Sequence, residues 1–169
     1  RNFAIASSSY QTGVIRSVMS ESGYEAQKEA AGGQRLLAAN QLQGQISAAK
    51  SARQTPEDLR DMAETPADKQ LADIYELYQQ RLQNMDTVDF DDLLVLVLRL
   101  WEENNDILTA HRQRYRYLMI DEYQDTSPVQ FQLMQTLAGD DANLCVVGDD
   151  DQSIYGWRGA DVDNILGFD

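Results

Sequence analysis

Two short apolar runs, Tyr117-Leu118-Met119-Ile120 and Leu144-Cys145-Val146-Val147, each stop abruptly on polar residues, and one helix-length stretch separates them. The first run meets Asp121-Glu122, the second Gly148-Asp149-Asp150-Asp151-Gln152. Between them Ser127-Pro128-Val129-Gln130 reads as a helix start, with Ser127 as the cap, Pro128 first and Gln130 closing a capping box. Phe131, Leu133, Met134 and Leu137 carry that helix to Gly139. Strand, helix and strand in this compass predict a βαβ unit with two buried parallel strands.

Adjacent carboxylates repel one another and resist burial, so their position needs a reason. In open α/β sheets ligands bind outside the carboxyl ends of the strands. If the two strands are neighbours, both acidic clusters converge on one crevice. Clustered carboxylates suit a hard cation, and Mg²⁺ takes one or two of them together with phosphate oxygens and waters. One acid can then serve the metal while a second orients or deprotonates a water. A strand running into a solvated turn gives the same apolar-then-acidic pattern. The second strand, with its own polar end, is what adds weight to the site.

The preceding residues, 9 to about 108, read as helical. Val14, Ile15, Val18 and Met19 recur at helical spacing before Gly23, and Gly32-Gly33 marks a loop. Leu36, Leu37, Ala39 and Leu42 form a short stripe, which Gly44 is expected to interrupt before Ile46-Ser47-Ala48-Ala49-Lys50. Thr55-Pro56-Glu57-Asp58 and Thr65-Pro66-Ala67-Asp68 are two helix starts, each with a threonine cap, proline first and acids toward the helix dipole. The second opens a long helix with Leu71, Ile74, Tyr75, Tyr78, Leu82 and Met85 on one face, its tyrosines assigned to the core. Asp89 caps a further helix through Trp101, and its run Leu93-Leu94-Val95-Leu96-Val97-Leu98 is apolar enough to predict deep burial. A strand is the competing reading of that run.

A net charge of −14 argues against a broadly basic nucleic-acid coat or an anionic-membrane binder, leaving DNA contacts to a few local side chains. Lys50 and Arg53 fit either duplex phosphate or a solvated helix face. The single cysteine, Cys145, excludes an internal disulfide, fits a reducing compartment and reads as a small packing residue; His111 reads as a surface residue. No apolar run reaches membrane-spanning length, and a cytoplasmic location is expected.

The most specific stretch is residues 146–160, Val-Val-Gly-Asp-Asp-Asp-Gln-Ser-Ile-Tyr-Gly-Trp-Arg-Gly-Ala. Together with Asp121-Glu122-Tyr123-Gln124-Asp125-Thr126 it resembles the Walker B motif and the motif after it in UvrD/Rep/PcrA-type superfamily-one DNA helicases. Val88-Asp89-Phe90-Asp91-Asp92-Leu93-Leu94 resembles the segment where that family's helical insertion rejoins the ATPase core. Asn164-Ile165 and Phe168 match the start of the next family helix, and Ile46-Ser47-Ala48-Ala49-Lys50 resembles part of the insertion. The resemblance spans essentially the whole chain.

It implies an α/β fold: a portion of a P-loop NTPase (RecA-like) parallel sheet, residues 89–169, with a mostly α-helical insertion subdomain, residues 1–88. It implies ATP and Mg²⁺ as cofactors, with Asp121 on the metal, Glu122 activating the hydrolytic water and Gln152 sensing the γ-phosphate. Tyr155 and Trp157 would stack on bases of single-stranded DNA, and Arg158 would serve the same surface. The partners implied are single-stranded DNA, a duplex junction and further helicase domains of a longer chain, in DNA repair or replication. No Gly-x-x-x-x-Gly-Lys-Ser/Thr occurs, and Gly32-Gly33 is followed by Gln34. The chain is therefore expected to be an excised piece, unable to hydrolyse ATP alone. A DNA-stimulated ATPase signal from the clean 169-residue chain, lost on Glu122→Gln, would overturn that expectation. Two other readings stay open: a helicase-like subunit of a recombination helicase–nuclease, and a P-loop ATPase not acting on DNA. The aromatic pair Tyr155 and Trp157 argues against the last.

Overall fold

In the computed structural model of the chain, the described residues are 2–24, 35–139 and 143–153. They are mostly helical, with two small parallel sheets. The chain divides into two compact units, Arg1–Asp92 and Leu93–Asp169, and the division falls inside one helix.

In the first unit, β1 (Ala4–Ile5) leads into α1 (Ser8–Glu21), followed by α2 (Ala39–Ser51), α3 (Pro56–Asp61), α4 (Pro66–Asn84) and β2 (Thr87–Val88). Local chemistry sets the helix starts. Thr55 Oγ1 accepts from the Asp58 N–H and Thr65 Oγ1 from the Asp68 N–H, while each aspartate accepts from its threonine N–H in return. Val14, Ile15 and Val18 of α1, Leu42 and Ile46 of α2, and Ile74, Tyr78 and Leu82 of α4 interlock as one core. Tyr75 and Tyr78 are buried there, as the helical spacing predicted, whereas Met85 is exposed.

Two expectations fail in this unit. Gly44 does not interrupt α2; the helix runs through it, and a Cβ there would meet nothing within 4 Å, so the glycine marks an uncrowded face. Lys50 does not lie on a solvated helix face, and its ammonium is taken up by Asp89 and Asp92. It lies on the buried stripe Leu42, Ile46, Ala49, Lys50 and is 2% exposed. The two-residue strands β1 and β2, paired in parallel as Ala4↔Thr87 and Ile5↔Val88, are too short to leave a period in the sequence.

The division falls in α5 (Phe90–Glu103), a helix rather than the competing strand. After it come α6 (Asn105–Arg114), β3 (Tyr117–Ile120), α7 (Pro128–Ala138) and β4 (Asn143–Val146). The strand–helix–strand expectation holds. β3 and β4 pair in parallel from Tyr117↔Asn143 to Ile120↔Val146, and the Ser127 N–H donates to Gln130 Oε1 at 2.9 Å to open α7. Leu98, Trp101, Leu108 and Val129 form the core of the second unit, with Leu133 and Leu137 packed against it.

Burial departs from the sequence reading. Tyr117 and Met119 are 80% and 76% exposed, and Cys145 is exposed rather than a packing residue. Alternate side chains of a strand point to opposite faces, so a sheet covered on one side leaves every second residue bare. In α5 Leu98 is fully buried, yet Leu96 and Leu100 are exposed, because only one stripe of the helix meets the core. His111 is half-buried: its ring centroid lies 5.7 Å from that of Trp101 and 6.3 Å from that of Tyr115, and Nδ1 sits 2.8 Å from the Ile107 carbonyl. Among the described residues no helix is long and apolar enough to cross a membrane.

Candidate functional site

The parallel register of β3 and β4 brings their carboxyl ends side by side. The ladder continues beyond the strands, with Val147 N–H donating to Ile120 O at 2.8 Å and Tyr123 N–H to Val147 O at 3.0 Å. Asp121 and Glu122 leave the end of β3, and Asp149 follows β4. The two polar clusters anticipated in the sequence thus meet at one edge of one sheet.

Glu122 adopts the left-handed conformation, φ 52° and ψ 41°. For a residue with a Cβ this costs roughly 1–2 kcal/mol. The chain then tightens into a 3-10 turn, Tyr123–Asp125, closed by Asp125 N–H to Glu122 O at 2.9 Å. Tyr123 and Gln124 are buried, and burial raises the Tyr123 hydroxyl pKa above its ordinary value. Asp121 and Glu122 themselves are exposed. The Glu122 N–H donates to Asp121 Oδ1 at 3.0 Å, which fixes the orientation of the first carboxylate.

Gln124 was read only as part of a motif, yet it is the fully buried residue between the clusters. Its Nε2 donates to Glu122 Oε2 at 2.8 Å, and its Oε1 accepts from the Asp149 N–H at 3.0 Å. Asp149 in turn accepts from the Asp151 N–H at 3.1 Å through Oδ1 and from Gln152 Nε2 at 2.6 Å through Oδ2. Asp149 is therefore a brace for the turn Asp150–Gln152, with both oxygens engaged. No periodicity exposes such a role, because it depends on a partner 25 residues away.

Among the described residues no three His, Cys, Asp or Glu side chains are grouped closely enough to hold a metal by themselves. Asp121 and Glu122 instead offer one or two exposed carboxylates, the donor set with which Mg²⁺ is held when phosphate oxygens and waters complete its shell. Tyr155, Trp157 and Arg158 lie outside the described residues, as do Gly32, Gly33, Asn164, Ile165 and Phe168.

Residues 1–169 match the model of the UvrD/REP helicase N-terminal domain. The chain is 37% identical over 169 residues to proteins named ATP-dependent DNA helicase PcrA from Bacillus subtilis and Staphylococcus epidermidis. The same identity and span hold for the PcrA protein of Staphylococcus aureus. All of this chain is covered in each comparison, but it spans only 22% of each relative's length.

Proposed function

The chain belongs to the UvrD/REP helicase family, and from that premise we propose that the full-length protein couples Mg·ATP hydrolysis to movement along single-stranded DNA and to duplex unwinding. The observation that carries this reading is the adjacency of Asp121, Glu122 and Gln152 at the carboxyl ends of two neighbouring parallel strands. Residues 89–169 are part of a RecA-like ATPase lobe, and residues 1–88 are a helical insertion in it. The PcrA relatives, named as ATP-dependent DNA helicases, support the same assignment.

Asp121 would hold Mg²⁺, which supplies charge neutralisation for the phosphates when bound. Glu122 orients the attacking water and takes its proton, a role open to an exposed carboxylate just beyond a strand end. Gln152 stands at the neighbouring strand end, where an amide can follow the γ-phosphate. Tyr155, Trp157 and Arg158 follow on the same segment and grip single-stranded DNA, so nucleotide chemistry and DNA contact share one short stretch of chain.

The DNA half of the proposal is tested with Trp157→Ala in the full-length protein. Stacking is worth roughly 1–3 kcal/mol per base, so single-strand affinity should fall about tenfold or more with little dependence on base sequence. Fluorescence anisotropy measures the affinity and a melting curve the stability. Unchanged affinity with a large drop in melting temperature would give Trp157 to the protein core and remove it from the DNA surface.

A further inference from the structure

We propose that Gln124 is a positioning residue for ATP hydrolysis, holding the Glu122 carboxylate through one end of its amide and the turn that carries Gln152 through the other. The inference rests on the reading of Glu122 as the group that activates water. Its geometry is a continuous chain: Glu122 Oε2 to Gln124 Nε2 at 2.8 Å, Gln124 Oε1 to Asp149 N–H at 3.0 Å, and Asp149 Oδ2 to Gln152 Nε2 at 2.6 Å.

The chemistry of the partners fixes which way the amide points. The Asp149 N–H can only donate, so it demands the carbonyl oxygen of Gln124; the Glu122 carboxylate can only accept, so it demands the NH₂. A flipped amide would set donor against donor and oxygen against oxygen. Glutamine is thus matched at this position, whereas glutamate, methionine or leucine is not. Full burial of the side chain removes competing water and leaves these two partners to decide its orientation.

The arrangement also explains how Glu122 is held in a left-handed backbone conformation. A side chain leaving such a residue points differently from one on an extended strand, and an exposed glutamate has three rotatable bonds to lose. Gln124, two residues further on and anchored in the interior, selects one of those rotamers. Because the same amide is tied to Asp149, displacement of the turn bearing Gln152 pulls on the group that orients the Glu122 carboxylate. The contact travels through the three hydrogen bonds of that chain.

The test uses the full-length protein with single-stranded DNA and Mg·ATP. Gln124→Met keeps the volume and removes both hydrogen bonds; it should lower kcat by about ten- to a hundredfold, since small misplacement of a catalytic group costs on that order, and leave KM for ATP within about twofold. In a Glu122→Gln background the same substitution should cost several-fold less than in the parent, because one of the two groups it positions has already lost its function. Loss of kcat with KM for ATP preserved is a readout that mere support of the fold would not give. A Gln124→Met kcat within about twofold of the parent protein, or equal losses in both backgrounds, would each overturn the inference alone. Normal turnover of Glu122→Gln would instead overturn the assignment of Glu122, and the inference with it.

Discussion

Glu122→Gln in the full-length protein is expected to lower DNA-stimulated ATP turnover by about a hundredfold or more, the usual worth of a positioned general base. Binding of Mg·ATP should stay within a few-fold of the parent. The substitution keeps the shape and length of the side chain and removes its charge and basicity. A glutamine at 122 keeps the side-chain length, and its carbonyl oxygen can still accept the bond that Gln124 Nε2 now makes at 2.8 Å. The N–H that donates to Asp121 Oδ1 belongs to the backbone and is unaffected. What disappears is the capacity to take a proton from water. Steady-state hydrolysis and equilibrium nucleotide binding, measured on both proteins, separate the two effects. Turnover within a few-fold of the parent would remove Glu122 from the base role, and parallel loss of binding would make it a ligand-holding residue instead.

The left-handed backbone at Glu122 sharpens this prediction. Glycine adopts that conformation without the steric cost of a Cβ. Glu122→Gly should therefore relieve the backbone cost, a gain offset by leaving Gln124 Nε2 without its acceptor, while losing turnover as severely as Glu122→Gln. A residue kept in a costly conformation at a strand end is what a site selected for chemistry rather than stability looks like.

Features written over a few consecutive residues were legible in the sequence. The threonine–proline–aspartate starts of α3 and α4, the serine–proline–glutamine start of α7 and the two strands around it all depend on neighbours within four positions. The convergence of the acidic clusters was legible too, because parallel pairing follows from the connection between the strands. Burial was not. Whether Tyr117, Met119 or Leu96 is covered depends on what lies against that face, and an apolar side chain reads the same in either case. Gln124 was legible only as a letter in a motif. Its interior position follows from a turn that reverses the chain just after β3, and its partner Asp149 comes from another strand end.

Lys50 is the other residue whose role was hidden by distance, and its replacement should have the largest effect on stability. Its Nζ lies 2.6 Å from Asp89 Oδ2 and 2.7 Å from Asp92 Oδ1, with all three side chains almost wholly buried. The two aspartates also cap each other's backbone, Asp92 N–H to Asp89 Oδ1 at 2.9 Å and Asp89 N–H to Asp92 Oδ2 at 3.1 Å. Tyr78 donates to Asp89 Oδ2 at 2.9 Å and Gln79 Nε2 to Asp92 Oδ1 at 3.0 Å, so every carboxylate oxygen of the pair is satisfied. Burial, and then the charge of Asp89, push the Tyr78 pKa well above its ordinary value, which keeps that hydroxyl a donor. The ammonium also lies over the rings of Tyr78 and Tyr75, 5.4 and 5.9 Å from their centroids.

Lys50→Met keeps most of the apolar stem but leaves two buried carboxylates without their cation. Breaking a buried pair from one side costs about 3–5 kcal/mol. Amides of α2 and α4 that exchange through opening of this unit should then exchange about a hundred- to several-thousand-fold faster, read by hydrogen–deuterium exchange on the full-length protein. Lys50→Arg should rescue little, because a planar fork cannot occupy the place of a compact ammonium between two fixed carboxylates. Adding Asp89→Asn and Asp92→Asn to Lys50→Met should recover part of the loss by removing the stranded charges. Protection in Lys50→Met within about tenfold of the parent would mean that water reaches the aspartates, and that the ion cluster is not what fastens α2 and α4 to the start of α5.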